Sequence, residues 1–278
     1  MEQLSTGEFE RVRRLVPDAH EAGHMAFAHS VLDGTMPGTV LVDTASAPAS
    51  AIICNESGFW HAIGRADAGF ATEAASALPA LVRYPGTAVW ASTEAWDAAL
   101  GTVFGTRRHR LEFHAPATFP PRPELPSRFR LAPIDVATAA KFDGAVDPWV
   151  VSIWGGPERF VERAFGTAVL DGERLAGFCC PCAVGGAAGF VEAEVEVGTN
   201  DAYRRQGVAR AASIDFFNEC QRRGYVPSWT CSGDNIASHR LALALGFQFA
   251  RSIGGYVVEK AMGVGGDGRW RPAIEGPD

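Results

Sequence analysis

Tyr203-Arg204-Arg205-Gln206-Gly207-Val208-Ala209-Arg210 stands between two runs of different period. Residues 190–197 alternate as a strand does; 208–223 carry Val208, Ala212, Phe216 and Cys220 on an i, i+4 row, as a helix does, with Gly224 at its C-cap. A strand running straight into a helix leaves the first N–H groups of that helix without partners, with the positive end of its dipole behind them. Such a start can cradle an anion. Gly207 would let the backbone approach a phosphate with no Cβ in the way, Ala209 keeps the next turn small, and Arg204, Arg205 and Arg210 add positive charge. These eight residues alone also suit an ordinary helix start, so both readings stand at this point.

The neighbouring elements narrow the choice. Residues 129–134 read as a short strand and 135–165 as mostly helix, broken at Pro148 and at Gly155-Gly156-Pro157. Strands at 167–170 and 174–184 flank Asp171-Gly172, a strong hairpin signal. A strand at 226–231 follows the long helix, then a helix at 235–245 ended by Gly246, then a strand or hairpin through 247–258. Strand, Arg-x-x-Gly-x-Ala, amphipathic helix, strand, then Asn235-x-x-Ser238 with Leu245-Gly246-Phe247 resembles the core of the GNAT superfamily of acyl-CoA N-acyltransferases. More narrowly, Glu194-x-Glu196-x-x-Thr199, Tyr203-Arg204, Pro227-x-Trp229 and Ser238-x-x-Leu241-Ala242 resemble the zwittermicin A resistance-type acetyltransferases, in which a degenerate N-terminal unit precedes the catalytic one. The likeness spans residues 129–260.

The resemblance implies an α/β (α+β) chain of two GNAT-like units, each a mixed, mainly antiparallel twisted sheet flanked by helices. It implies that backbone amides from Arg205 through Gln206, Gly207, Val208 and Ala209 to Arg210, with Arg204 beside them, hold the pyrophosphate of acetyl-CoA, the acyl donor. The pantetheine arm would pair like an extra strand with Val197, Gly198 and Thr199, and Asn235 and Ser238 would face it from the following helix. A backbone N–H near Thr199 would stabilise charge on the thioester oxygen. Many GNAT enzymes carry a Tyr seven residues after the Asn, but here Ala242 stands there, leaving Ser238 to help the leaving sulfur or no acid at all.

Acyl transfer to an amine also needs a proton acceptor, because an ammonium has no lone pair. Glu192, Glu194 and Glu196 are spaced by two and share one face of a strand. Such a row is either a solvated, salt-bridged face or the lining of an acceptor groove in which mutual repulsion raises one proton affinity. The groove reading makes Glu194 the first candidate base and Glu196 the second, with Glu192, Glu194 and Trp229 touching the acceptor.

The first 113 residues lack a counterpart of Arg-x-x-Gly-x-Ala. They are cut off by residues 114–127, HAPATFPPRPELPS, whose five prolines forbid a helix. Across that linker the order of elements echoes: residues 38–43 resemble 166–171, and 88–101 resemble 228–246. The expected division is therefore 1–113, a degenerate GNAT-like unit; 114–127, a linker; and 128–278, the catalytic unit. The 278 residues suit two domains at roughly 150 each.

Composition excludes other classes. With 47% apolar and 21% charged residues the chain is not disordered, and 25 basic against 32 acidic residues, with no basic run, argue against nucleic acid. No stretch of eighteen apolar residues or signal-like leader occurs, so no membrane partner and a cytoplasmic location are expected. The six cysteines, three of them at 179, 180 and 182, read as reduced thiols on a buried strand rather than as half a zinc site or a redox pair. His20-Glu21-Ala22-Gly23-His24 is a literal H-E-x-x-H, but Phe27 and Ser30 break the metzincin continuation and Gly23 weakens the helix, so no metal is expected. The expectation is an acetyl-CoA-dependent N-acetyltransferase, monomer or homodimer, whose acceptor is a small amine, an aminopolyol or peptide antibiotic or a related metabolite. A GNAT fold that binds acyl-CoA or a partner without chemistry is the other class, and a zinc peptidase the remote one.

Overall fold

The structure is a computed structural model that describes residues 1–17, 25–142, 149–187 and 189–260. The first half runs β1 (Glu2–Leu4), α1 (Glu10–Arg13), α2 (Ala26–Leu32), β2 (Gly38–Val42), β3 (Ser50–Asn55), β4 (Phe59–Gly64), α3 (Ala68–Ala77), β5 (Ala88–Ala91), α4 (Glu94–Gly101) and β6 (Arg107–His114). The second repeats that order: β7 (Phe129–Pro133), three short helices α5 (Val136–Ala139), α6 (Trp149–Ser152) and α7 (Pro157–Arg163), then β8 (Thr167–Asp171), β9 (Arg174–Ala187), β10 (Phe190–Thr199), α8 (Val208–Arg223), β11 (Tyr225–Ser232), α9 (Ile236–Ala244) and β12 (Gln248–Val257). The echoed segments fall on equivalent elements, the second strand of each half (β2, β8) and the fifth strand with its following helix (β5–α4, β11–α9). The expected helical stretch at 135–165 is broken into pieces, and 247–258 forms a single strand rather than a hairpin.

All twelve strands join one sheet in the order β1-β2-β3-β4-β5-β12-β6-β11-β10-β9-β8-β7. Only β4–β5 and β10–β11 pair in parallel among the described residues, so the sheet is mixed and mainly antiparallel. Read from either end the order is the same up to the middle, where the halves exchange their last strands. β6 pairs with β11 and β12, and β12 pairs with β5 and β6. Residues 107–113, which the sequence groups with the first half, thus complete the sheet of the second. Phe113 is buried there, and Glu112 forms an ion pair with Arg251 of β12 at 2.6 Å.

The proline-rich segment is a strap over the second core: Phe119 packs on Phe217 (ring centroids 4.4 Å) and Phe247 (5.8 Å). That core lies between the sheet and its helices and buries Phe142, Phe160, Phe178, Phe216 and Phe217 completely, enough apolar area to dominate the stability of this half. Cys179, Cys180 and Cys182 are buried on β9, and all six cysteines are free thiols. No helix among the described residues is long and apolar enough to cross a membrane.

Candidate active site

β10 and β11 pair in register only from Val191↔Tyr225 to Glu194↔Ser228. Beyond that point β10 continues to Thr199 on its other neighbour, with Thr199 opposite Gly177 of β9, while β11 continues to Ser232 paired with β6. The two central strands therefore splay, and β10 from Val195 to Thr199 has no strand partner on its β11 side among the described residues. The side chain of Glu194 sits in the fork. Its Oε1 accepts the Thr230 N–H (3.1 Å) and hydroxyl (2.5 Å), and its Oε2 accepts the Ser228 hydroxyl (2.8 Å). A side-chain carboxylate thus takes a β11 amide that a closed ladder would give to β10. On the other flank the ladder shifts between Glu194 and Val195, where Pro181 has no N–H to offer.

The cradle opens where β10 ends. Asn200 caps the turn by accepting the Ala202 N–H (3.2 Å), Arg204 pairs with Asp201 (2.6 Å), and Tyr203 packs edge-on against Phe129. Arg205 holds φ +61° and Gly207 φ +82°. The first conformation costs a non-glycine residue on the order of 1 kcal/mol, strain that clusters at functional turns. Gly207 is the N-cap of α8 and offers no side chain to its first N–H groups, so these keep their hydrogen-bonding capacity. A Cβ there would meet only the Leu125 side chain, at 3.5 Å, leaving the approach to those amides open. Val208 is buried beneath the turn, against the place where Gly177 of β9 has no Cβ. Arg204, Arg205 and Arg210 are exposed, and Gln206 is held by Arg128 and by the Ala202 carbonyl.

The first half is arranged differently at the equivalent place. β4 and β5 stay paired from Phe59↔Ala88 to Ala62↔Ala91, and the Trp96 indole N–H bonds the Gly64 carbonyl (3.0 Å) at the end of β4. The helix that follows, α3, is capped by the Asp67 carboxylate, which accepts the Phe70 N–H at 2.9 Å and places negative charge where an anion would bind.

The acidic row lies as its spacing predicts, but its members differ. Glu192 is 6% and Glu194 1% exposed; Glu196, past the fork, is partly open to solvent. Glu194 is also joined to the first half: Arg110 of β6 donates from Nε (3.2 Å) and Nη2 (2.5 Å) to the Thr230 hydroxyl that bonds the carboxylate. Asn235 caps α9 by accepting the Ser238 N–H (3.0 Å), and the Ser238 hydroxyl accepts the Trp229 indole N–H (3.1 Å). Ala242 is fully buried.

Trp229 is a correction. It alternates with Ser228 and Thr230, so it faces away from the glutamates; it is 1% exposed and packs on Phe247 (5.5 Å). Its work is to fill the core and hold Ser238, and an acceptor on the acidic face does not reach it. Ser228, Thr230 and Arg110 were missed. The same alternation that placed the glutamates would have picked out the first two, whereas nothing in Arg107-Arg108-His109-Arg110 marks one arginine out. The motif at residues 20–24 lies outside the described residues, and among the described residues no group of three or more His, Cys, Asp or Glu is placed to hold a metal.

Comparison with known proteins agrees with this geometry. The family model "GNAT acetyltransferase" matches residues 19–256. The Bacillus subtilis (strain 168) protein "Uncharacterized N-acetyltransferase YdfB" is 26% identical over 263 residues, 89% of this chain and 95% of that one. A GCN5-related N-acetyltransferase-like protein from Streptococcus suis 89/1591 has the same fold with a TM-score of 0.65 at 20% identity, over 90% of this chain and 98% of that one. A tandem GNAT protein from the clavulanic acid biosynthesis pathway shares it with a TM-score of 0.56 at 13% identity, over 92% of this chain and 97% of its own. Doubled element order, a strand fork beside a glycine-started helix and a family match across most of the length converge: the chain belongs to the GNAT acetyltransferase family and is an acyl-transferring enzyme.

Proposed function

We propose that the protein is an acetyl-CoA-dependent N-acetyltransferase acting on a primary amine of a small molecule, with one active site, in the second half. The observation that carries this reading is the fork of β10 and β11 opening directly onto the uncapped start of α8. The residues fit acetyl-CoA. Amides from Arg205 to Arg210 would meet the pyrophosphate, the unpartnered edge at Val197, Gly198 and Thr199 would take the pantetheine amides, and Asn235 would face them from α9. Bound there, acetyl-CoA supplies an acetyl group activated as a thioester.

The chain's own residues divide the remaining work. Glu194 has its oxygens held by three donors and serves to fix the fork. Glu196, two residues on and partly open, is the better placed to take the proton of the incoming ammonium, an inversion of the order expected from sequence. Ser238, oriented by the Trp229 N–H, is the hydroxyl nearest in role to the family's missing Tyr. We further propose division at the strap, with acceptors drawn from amine metabolites or from antibiotics of the aminopolyol or peptide kind, no nucleic-acid or membrane partner, and action as monomer or homodimer. Release of free thiol from acetyl-CoA across a panel of amines tests the reading; no release with any amine, from protein shown to bind acetyl-CoA, contradicts it.

A further inference from the structure

We infer that the first half supplies an anion-binding subsite, built on Arg110 and Trp90, for a carboxylate carried by the amine acceptor, an inference that rests on the acyl-transfer reading above. The register places these residues together. Glu194 pairs with Ser228, Thr230 with Glu112, Arg110 with Ile253, and Gly255 of β12 with Trp90 of β5, so Glu194, Thr230, Arg110 and Trp90 lie on one face of the continuous sheet.

Arg110 is half-buried on that face. Its guanidinium carbon lies 4.6 Å from the Phe59 ring centroid and 5.7 Å from that of Trp90, and its donors go to the neutral Thr230 hydroxyl. Among the described residues no carboxylate forms an ion pair with it. A guanidinium flanked by aromatic rings, with Nη1 not engaged by the Thr230 contact, retains donor capacity for a carboxylate. The second observation is independent: the indole Nε1 of Trp90, a residue only 5% exposed, is buried with no hydrogen-bond partner in the structure. An unmatched buried donor costs about 1–3 kcal/mol. One unmatched buried donor, with a guanidinium packed over the same ring on the face that holds the glutamates, suits an anion.

The contacts bear on the acceptor's size. Arg110 reaches Glu194 through the Thr230 hydroxyl, and Glu196 stands two residues, about 7 Å, further along β10. An amine at Glu196 and a carboxylate at Arg110 therefore belong to a molecule that carries them at opposite ends, as a short peptide or an ω-amino acid does, rather than to an α-amino acid.

The test uses the full chain and paired probes, triglycine and 6-aminohexanoate against their carboxamides. Binding is followed by calorimetry without acetyl-CoA, and thiol release with it. The free acids are expected to bind about tenfold or more tightly than the amides. Arg110→Gln should remove the preference, and Arg110→Lys, which keeps the charge but not the fork, should restore only part of it; Trp90→Phe should weaken it with folding intact by circular dichroism. Equal binding of acid and amide, binding of neither, or a preference that survives Arg110→Gln overturns the inference. An acid preference without thiol release in any pair leaves the subsite standing and counts against acyl transfer instead.

Discussion

Asp67 and Gly207 stand at the same point of the two halves, each just before the helix that follows the fourth strand, and they prepare that helix for opposite partners. Asp67 puts its own carboxylate on the first turn of α3, through the Phe70 N–H at 2.9 Å. Gly207, at φ +82° and without a side chain, leaves the first turn of α8 without a side-chain cap. One copy of a repeated unit caps this turn with its own carboxylate and the other does not.

Asp67 should therefore matter for stability alone. Asp67→Ala is expected to lower unfolding free energy by about 1 kcal/mol, the usual worth of an N-cap, and to leave acetyl-CoA affinity unchanged. Urea unfolding followed by ligand titration checks both halves of that statement; a change in affinity would put a cofactor role back in the first half.

The two glutamates should separate. Glu196→Gln is expected to lower kcat by roughly two to four orders of magnitude with acetyl-CoA binding retained, the range for loss of a general base. Glu194→Gln replaces a buried acceptor of three donors by a group that can satisfy fewer, and is expected to cost about 1–3 kcal/mol of stability. Thermal melts beside steady-state rates distinguish them, and the reverse pattern would return the base to Glu194.

The exchanged strands make the halves interdependent. Residues 128–278 expressed alone lack β6, exposing the β11 edge and leaving Arg251 without Glu112. The fragment should be insoluble or molten and should recover when residues 1–127 are co-expressed. A fragment that is folded and active by itself would show that β6 is dispensable.

How much of this was legible follows from residue chemistry. The second half could be read nearly element by element because glycines at 172, 207, 224 and 246 mark its turns, all at positive φ. The turn that starts α8 was readable for the same reason. The exchange of β6 and β12 was not, because Arg107–His114 is a charged, largely exposed strand whose side chains say nothing about which edge it joins. Trp229 entered through the Pro227-x-Trp229 resemblance, which does not fix a face, whereas its parity, opposite to that of Ser228 and Thr230, does. Thr230 and Arg110 escaped because a hydroxyl and an arginine gain meaning only from the carboxylate that the fold sets beside them.

The thiols offer a pH test. Burial pushes the thiols of Cys54, Cys179, Cys180, Cys182, Cys220 and Cys231 above the ordinary cysteine value, so thiolate forms only at more alkaline pH than for a free cysteine. Native protein at pH 8 should leave an aromatic disulfide reagent unreacted over minutes and consume six equivalents once unfolded. Rapid reaction of a native thiol would contradict the burial of the β9 and β11 cysteines.

The central claim, one acetyl-CoA site at the start of α8, is tested most directly by calorimetric titration of acetyl-CoA into the intact chain and into Gly207→Glu. One equivalent is expected to bind the first and none the second, since the new carboxylate would sit among the first amides of α8 at a backbone position that disfavours any side chain. Two equivalents, no binding to the intact chain, or binding that survives Gly207→Glu would contradict it.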